Sequence, residues 1–421
     1  MIAALFALAF SAPAAAQSLV IVHARAWTGA GPAVEDATIV VRDGRIISVQ
    51  AAGAVPQGVE VIDAKGRAVT PGIFAAATHL GLIEVAGAAD TADEAVSAGK
   101  LGPSFDVATA INSKSLLIQQ ARADGVLWTL AFPSGSPVAP FLGQGAVLRL
   151  GGGEVLRRPR AAMFARIGGS AAETAGGSRA SQWTLLRRAF DEARRLSDRR
   201  PLDAQDRLFD LINLESLRPV LDGTMPLAIQ THRQSDIREA IRLASDYRLR
   251  VVLVGGNEAW TLANELARAR IPVILDPGAN LPMSYDEIGS RLDNAAILDR
   301  AGVVLALAPS AHSIDMNYNV GVSSRMAAGL AVANGLPYAS AIRSLTLGPA
   351  SIWGAAAETG SIEPGKFADL VIWDGDPLEP SSAPQSVIAG GYSISLITRE
   401  VLLTRRYAPL NKDHEWPPAY R

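Results

Sequence analysis

Two histidines that follow short apolar segments are the residues of this sequence best suited to chemistry. His79 closes the apolar run 73–78, and His232 follows the segment 226–231. A neutral imidazole offers a lone pair that binds a metal ion or accepts a proton, and at the end of a buried strand it would face a cleft. The chain has no cysteine, so a metal ion would be held by histidine, carboxylate or a modified lysine.

Further polar residues follow the later apolar segments. Glu258 begins a predicted helix whose N-terminus would face the cleft, where its carboxylate would either bind a substrate amine or only stabilise the helix end. His312 and Asp315 lie in the loop after the last predicted strand and are candidates for a third metal ligand. We assign His79 and His232 to a metal site, Glu258 and His312 to substrate binding, and no residue to catalysis.

Composition and charge exclude several classes of protein. The 421 residues are 49% hydrophobic and 19% charged, which is typical of a soluble globular protein with one large or two modest domains. The formal net charge of -2 gives no basic surface for nucleic acid or an anionic membrane, so neither is expected as a partner. Arginines are dense between 157 and 200, but acidic residues are interleaved, and we interpret this stretch as a solvated helix face.

The N-terminus has the pattern of an export signal. Residues 1–16 form an apolar run too short to span a bilayer and end in three alanines before Gln17, as a signal-peptidase site requires. This segment lacks lysine and arginine, and a buried N-terminal helix is the alternative. We predict cleavage before Gln17 and a periplasmic or secreted protein. No later segment is long and apolar enough to be a membrane anchor.

Two β-rich segments flank a long region of alternating strands and helices. Residues 18–65 alternate with a period of two and contain a hairpin at Asp43–Gly44, with a further strand pair predicted across Lys65–Gly66. β character returns after Gly360 and again in 393–407. Between them, apolar runs alternate with helical patterns, as parallel βα units require. Predicted strands are 127–132, 226–231, 250–254, 272–275 and 303–307; predicted helices are 112–124, 182–196, 235–247, 258–270 and 338–345; an insertion is predicted around 168–223.

The segment 360–370 carries the most specific motif of the sequence. Its residues, GSIEPGKFADL, match Gly-x-Ile-x-x-Gly-Lys-x-Ala-Asp-Leu at every fixed position. This motif resembles the one that amidohydrolase-superfamily chains carry where they leave the barrel, and 69–81 resembles the first barrel strand of that superfamily. The segments FDVATAIN and GQGAV resemble exported, imidazolonepropionase-like members. The segment LTLGPASIWG resembles the Thr-x-Asn-Pro-Ala segment of the family, with Gly348 in place of Asn.

The resemblance implies an α/β fold, namely a (β/α)8 TIM-like barrel with a small β-sandwich domain built from both chain ends. We therefore expect four segments. They are a signal peptide at 1–16, the N-terminal part of the β-sandwich at 17–70, the barrel at 71–355 and the C-terminal part of the β-sandwich at 356–410.

The resemblance also implies a catalytic metal ion at the ends of the barrel strands, and here the sequence departs from the family. The first strand of family members ends in Asp-x-His-x-His, whereas Ala75, Ala77 and His79 occupy those positions here. His232 matches the third histidine. The remaining substitutions are Gly255 for the fourth histidine, Phe164 for the carboxylated lysine and Ser310 for the aspartate of the last strand. Zinc catalysis generally uses three protein ligands, so we expect divalent metal to bind weakly or not at all.

Two functions from different classes follow. The substitutions favour a metal-depleted, catalytically impaired relative that serves as a ligand-binding or partner subunit, either as a homo-oligomer or paired with an intact paralogue. The resemblance itself implies the alternative, an exported hydrolase of amide, peptide-like or cyclic carbon-nitrogen bonds that uses zinc or another divalent metal. In both cases the expected ligand is a small or peptide-like molecule of unknown identity.

Overall fold

The computed structural model describes residues 18–169, 171–196, 203–279, 282, 284–309 and 317–407. The predicted signal peptide and its cleavage site lie outside the described residues, as do Ser310, His312 and Asp315. Among the described helices, none is both long enough and apolar enough to cross a bilayer.

The described chain contains strands and helices, which alternate most regularly between residues 227 and 307. The strands are β1 (Leu19–Ala26), β2 (Val34–Arg42), β3 (Arg45–Ala51), β4 (Glu60–Asp63), β5 (Ala68–Pro71), β6 (Ile73–Thr78), β7 (Val126–Ala131), β8 (Phe141–Arg149), β9 (Leu156–Arg166), β10 (Leu227–Thr231), β11 (Val251–Gly255), β12 (Val273–Leu275), β13 (Leu305–Leu307), β14 (Leu370–Trp373), β15 (Pro384–Ala389) and β16 (Tyr392–Ser393). The α-helices are α1 (Leu116–Ala123), α2 (Arg179–Arg195), α3 (Leu211–Ser216), α4 (Arg218–Leu221), α5 (Gln234–Tyr247), α6 (Ala263–Ala269), α7 (Asn294–Arg300), α8 (Val320–Ala333), α9 (Tyr338–Leu345), α10 (Leu347–Ile352) and α11 (Arg399–Tyr407).

Both ends of the chain contribute strands to one β-sheet. Its order is β16-β15-β14-β5-β1-β2-β3, with β4 also paired to β1. The junction between the two chain ends is antiparallel, with Leu370 opposite Pro71 and Ile372 opposite Val69. The buried core of this sheet likewise combines residues from β1 and β2 with Ile362, Leu370 and other residues after the barrel. The prediction of one β domain built from both chain ends is therefore confirmed.

Two details of the predicted β segments are wrong. The strands on either side of Lys65–Gly66 do not form a hairpin, because β4 and β5 both run parallel to β1. The positive φ values of Lys65 and Gly66 make a kink that moves the chain along β1 without reversing it. Residues 399–407 are helical, and the Thr398 hydroxyl accepts a hydrogen bond from the backbone N–H of Val401 (3.3 Å), as a helix N-cap does.

The second sheet is the barrel, and it confirms the TIM-like fold with one departure. Its order is β13-β12-β11-β10-β9-β8-β7-β6. All neighbouring pairs whose pairing is described are parallel except those of β8, which is antiparallel to both β7 and β9. A hairpin thus replaces one βα unit of the expected (β/α)8 pattern. The predicted insertion lies between β9 and β10 and contains α2, α3 and α4.

Helix α5 illustrates how the sequence builds the outer layer of the barrel. Its buried apolar residues are Ile237, Ala240, Leu243 and Tyr247, spaced by three or four positions so that they form one face. This face shares a core cluster with Leu227 and Ile229 of β10. Burying such a face stabilises the fold by about 25 cal/mol per Å² of apolar surface. Arg248, in the left-handed region (φ 56), ends the helix and returns the chain to β11.

Helix α10 packs against both β6 and β13, the two strands at the ends of the barrel order. Gly348 permits this approach because a side chain there would overlap the carbonyl oxygen of Leu305 in β13. Just after the helix, Trp353 Nε1 donates a hydrogen bond to the carbonyl of Ala76 in β6 (2.7 Å). The segment that resembles the family's Thr-x-Asn-Pro-Ala sequence therefore joins the two end strands.

Candidate functional site

Alternation along the barrel strands determines which side chains point inward. On β9, Met163 and Ala165 belong to the core cluster shared with the helices, whereas Phe164 belongs to the inner cluster. On β10, Leu227 and Ile229 are likewise outer residues and Ala228 is inner. Side chains two apart on a strand share a face. Arg166 and Gln230 therefore continue the inner rows to the C-terminal ends of β9 and β10, where active sites of such barrels lie.

His79 is buried at this end of the barrel. It is 7% exposed, its ring lies 4.6 Å from that of Phe132, and its Nε2 has no hydrogen-bond partner among the described residues. Burial, with the positive charge of Arg166 acting in the same direction, lowers the pKa of His79 to about 4. His79 is consequently a neutral imidazole at pH 7.

His232 is oriented by a chain of hydrogen bonds. Its Nδ1 lies 2.5 Å from Oδ1 of Asn257, whose Nδ2 donates to the Ser290 hydroxyl (2.7 Å). The Ser290 hydroxyl donates in turn to the carbonyl of Glu287 (2.6 Å). Because the amide nitrogen is committed to Ser290, Asn257 presents its oxygen to His232, and this assigns the proton to Nδ1. In the neutral ring the lone pair is then on Nε2.

The missing fourth histidine has a structural explanation. Gly255 adopts φ +90, in the left-handed region, and a Cβ there would lie 2.6 Å from Cε1 of His232. The space that a histidine at this position would need is taken by the His232 ring. The two imidazoles therefore cannot coexist in the present backbone, so the substitution at Gly255 is coupled to the position of His232.

Arg166 is the site residue that the sequence reasoning missed. Its Nε donates to Oε1 of Gln230 (2.8 Å), and burial lowers its pKa. The arginine-dense stretch was interpreted as a helix face, and this is correct for α2 but wrong for Arg166, which lies at the end of β9. Phe164, the predicted replacement for the carboxylated lysine, lies deeper in the barrel and contacts Phe132 and Trp353.

Glu258 lies beside this site but has a structural partner. Its Oε2 accepts a hydrogen bond from the backbone N–H of Gln234 at the start of α5 (2.7 Å). A carboxylate stabilises a helix N-terminus because it satisfies a free N–H and opposes the helix dipole. This contact agrees with the interpretation that Glu258 only stabilises a helix end. The helix that it contacts is α5, however, and not the helix that it precedes.

The described residues at this end of the barrel do not by themselves form a catalytic metal site. Within the part of the chain that the structure describes, no three histidine, aspartate or glutamate side chains lie close enough together to hold one. His79 and His232 supply two neutral donors at most, Ala77 supplies none, and Gly255 leaves no room for a third imidazole. His312 and Asp315, the predicted further ligands, lie outside the described residues.

Comparisons with known proteins agree with the motif and the fold. The sequence model of the amidohydrolase family matches residues 232–397. Amidohydrolase tasK of Hapsidospora irregularis is 38% identical over 79 residues, which are 19% of this chain and only 8% of that protein's length.

Solved structures share the fold over most of the chain at low sequence identity. An amidohydrolase from Thermotoga maritima MSB8 superposes with a TM-score of 0.79 at 23% identity, covering 90% of this chain and 99% of the other. An adenosine deaminase from Xanthomonas campestris with bound zinc superposes with a TM-score of 0.53 at 21% identity, covering 91% and 94%. Molinate hydrolase gives 0.55 at 16% identity, covering 90% and 95%. At these identities the likeness concerns the fold. Residues 232–397 thus match the amidohydrolase family, and the fold shared over 90% of the chain agrees with that match.

Proposed function

We propose that this chain is an amidohydrolase-superfamily protein whose barrel binds a ligand without a catalytic metal centre. The observation that carries the proposal is the position of the Arg166 guanidinium, which continues the inner row of β9 at the same end of the barrel as His79. Its positive charge also lowers the pKa of that histidine. A divalent ion on His79 would lie beside this positive charge. Repulsion between charges is poorly screened in a partly buried site, so the arginine disfavours the ion.

The count of donors supports the same conclusion. Catalytic zinc generally has three protein ligands, often including a carboxylate, and an open position for water. Here the described donors are two imidazoles, and neither carries the negative charge that would offset a dication. Without a firmly held ion the pKa of water is not lowered toward about 7, and the hydroxide nucleophile of metal-dependent hydrolysis is not formed. Catalytic impairment follows from this chemistry.

The remaining polar groups suit binding. The Asn257 relay holds His232 in one orientation and one tautomer, so its Nε2 is a fixed hydrogen-bond acceptor. Arg166 and Gln230 supply hydrogen-bond donors at the ends of adjacent strands. Such a rigid set of donors and acceptors recognises a ligand without reorganising, which lowers the entropic cost of binding.

Metal analysis of the purified protein tests the proposal. After dialysis against zinc-containing buffer and then zinc-free buffer, we expect well under one zinc ion per chain, because two ligands bind too weakly. His79→Ala and His232→Ala should leave that low content unchanged. His23→Ala is the matched control, since His23 is an exposed residue of β1 paired only with Asp63.

Stoichiometric zinc that disappears in His79→Ala or His232→Ala, but not in His23→Ala, would contradict the proposal. That result would favour the alternative, a metal-dependent hydrolase of carbon-nitrogen bonds, and would direct the search for a third ligand to His312 and Asp315.

Export and a partner role are further parts of the proposal. The apolar N-terminal run supports export, with the mature chain beginning at Gln17, and mass spectrometry of the exported protein would check it. Sedimentation of the purified protein, alone and with an intact paralogue, would establish whether it acts as a subunit.

A further inference from the structure

Unused hydrogen-bond donors are concentrated where β9 and β10 end. Arg166 and Gln230 are opposite one another in the parallel register, and their single side-chain bond joins Nε to Oε1. This leaves both terminal guanidinium nitrogens of Arg166 and the amide nitrogen of Gln230 available. Among the described residues none of these three nitrogens has a hydrogen-bond acceptor. They are donors that a ligand could use.

Within the described chain, the positive charge of Arg166 also lacks a counter-ion. By contrast, Arg149 pairs with Asp369 (2.8 Å) and Arg179 pairs with Asp286. Arg325 has no carboxylate partner among the described residues but donates to three backbone carbonyls. Arg166 has neither arrangement within the described chain. Because a buried, unpaired charge is costly, its presence indicates a negatively charged binding partner.

His79 provides a second, independent indication of a ligand at the same end of the barrel. Its Nε2 is buried and has no partner among the described residues, which is unusual for a polar atom in a folded protein. The adjacent ring of Phe132, itself packed on Phe164, forms an apolar wall. The site thus combines a cation and amide donors with an imidazole and an aromatic surface.

We propose that Arg166 and Gln230 bind the carboxylate of a small monoanionic ligand, with His79 as a further polar contact and Phe132 against its apolar part. The guanidinium is a planar fork whose paired N–H groups match the two oxygens of a carboxylate. A single fixed cation balances a carboxylate but leaves the second charge of a phosphate dianion unpaired, so carboxylate is favoured over phosphate. This inference rests on the proposed function, because a metal ion on His79 would displace the arrangement.

Titration of the unmodified protein with propionate and with propionamide tests the inference without any mutation. The two molecules have nearly the same size, but only propionate is charged. NMR titration at constant ionic strength should show saturable shifts near Arg166 with propionate, little response to propionamide, and weaker binding of inorganic phosphate. Equal binding of propionate and propionamide, tighter binding of phosphate, or no saturable binding would overturn the inference.

Variants then locate the site. Arg166→Met should weaken propionate binding by about 10- to 100-fold, which is what loss of a hydrogen bond to a charged group costs. Arg166→Lys, which keeps the charge but loses the fork, should bind more weakly than the unmodified chain and more tightly than Arg166→Met. Arg160→Met is the matched control on the same strand, because the side chain of Arg160 is largely exposed and should not affect binding. Propionate binding unchanged in Arg166→Met would exclude this site.

The zinc measurement separates failure of this inference from failure of the proposed function. Low zinc together with equal binding of propionate and propionamide would exclude the carboxylate site and leave the metal-free barrel standing. Stoichiometric zinc held by His79 and His232 would overturn both.

Discussion

Two regions differ in how completely their buried polar groups are hydrogen-bonded. One is the junction between the barrel and the β domain, around Asp369. The other is the barrel mouth, where His79, Arg166 and His232 lie at the C-terminal ends of the strands. At the junction, the fully buried carboxylate of Asp369 accepts hydrogen bonds from Trp128 Nε1 (2.7 Å), from Arg149 Nε and Nη2 (3.1 and 2.8 Å), and from the backbone N–H of Gly390 (2.8 Å). At the mouth, Arg166 makes one side-chain hydrogen bond and Nε2 of His79 makes none among the described residues.

This difference separates residues that hold the fold from residues that serve a ligand. Asp369 belongs to the family motif, and it joins β7 and β8 of the barrel to the start of β14 and the end of β15. A polar group kept for stability is expected to have its partners within the protein. Groups that violate this rule are expected at functional sites, where the missing partner arrives from outside.

The largest effect is expected from breaking the junction. Asp369→Ala would leave the Arg149 charge, the Trp128 indole and one backbone N–H without their acceptor. We expect the free energy of unfolding to fall by about 3–5 kcal/mol, the usual cost of removing one member of a buried ion pair. Denaturant unfolding would measure it. Asp293→Ala, which removes a carboxylate from an exposed pair with Arg291, is the control and should have little effect. A loss at Asp369 no greater than at Asp293 would contradict this role.

A smaller effect is expected where the mouth is most crowded. Gly255→Ala combines an unfavourable positive φ with a Cβ close to the His232 ring, and we expect it to lower stability by about 2–4 kcal/mol. Gly302→Ala is the matched control, since Gly302 has nearly the same φ (+81) but open space around its Cβ, and about 1 kcal/mol is expected there. Equal losses in denaturant unfolding would show that the His232 ring does not limit this position.

The low pKa of His79 should make stability depend on pH. A histidine whose pKa is about 4 in the folded state, against 6.5 ordinarily, is protonated more readily when unfolded. The contribution of His79 to the free energy of unfolding is therefore complete above pH 6.5. Up to about 3 kcal/mol of this free energy is lost as the pH falls toward 4. Burial raises the pKa of Asp124 to about 6, which acts in the opposite direction over the same range. The test is therefore the difference between the unmodified chain and His79→Gln.

Denaturant unfolding would measure the free energy of unfolding of the unmodified chain and of His79→Gln. The stability of the unmodified chain relative to His79→Gln should fall between pH 7 and pH 4. His23→Gln, which replaces an exposed histidine of β1, is the control. Parallel pH curves for His79→Gln and the unmodified chain would show that His79 is protonated equally in the folded and unfolded states.

The smallest change in stability is expected at Arg166, where the comparison with the junction is sharpest. Arg166→Met removes a cation that has no ion pair among the described residues and keeps much of the buried side-chain volume. We expect stability to stay the same or rise by about 1 kcal/mol, because no ion pair of the described chain is lost. Thermal unfolding in carboxylate-free buffer would measure it. A loss as large as that of Asp369→Ala would place Arg166 among the residues that hold the fold.

The sequence predicts the scaffold well because its signals are local. The motif 360–370 and the hairpin at Asp43–Gly44 occur where expected, and the predicted helix 338–345 coincides with α9. The kink at Lys65–Gly66 was mistaken for a hairpin because the turn residues are the same in both. Only the neighbouring strand β1 decides which of them forms.

The site was less accessible to sequence reasoning, because its main feature depends on contacts between distant segments. His79 and His232 were found from the strand ends that they follow. The substitution of metal ligands by Ala77 and Gly255 was found by comparison with the family pattern. Arg166 stood in an arginine-rich stretch, and only its register opposite Gln230 reveals that it points into the barrel. The alternation from Phe164 to Arg166 was the available signal, but it required knowing that β9 is a barrel strand.

Diffraction from crystals soaked with zinc and with propionate would show directly whether the barrel holds a metal ion or a carboxylate. We expect no anomalous zinc peak within about 2.0–2.1 Å of His79 or His232, the length of a zinc–imidazole bond, and carboxylate density on the Arg166 guanidinium. A zinc ion bonded to both histidines, with Arg166 turned away from it, would contradict the proposed metal-free barrel and restore the metal-dependent hydrolase as its function.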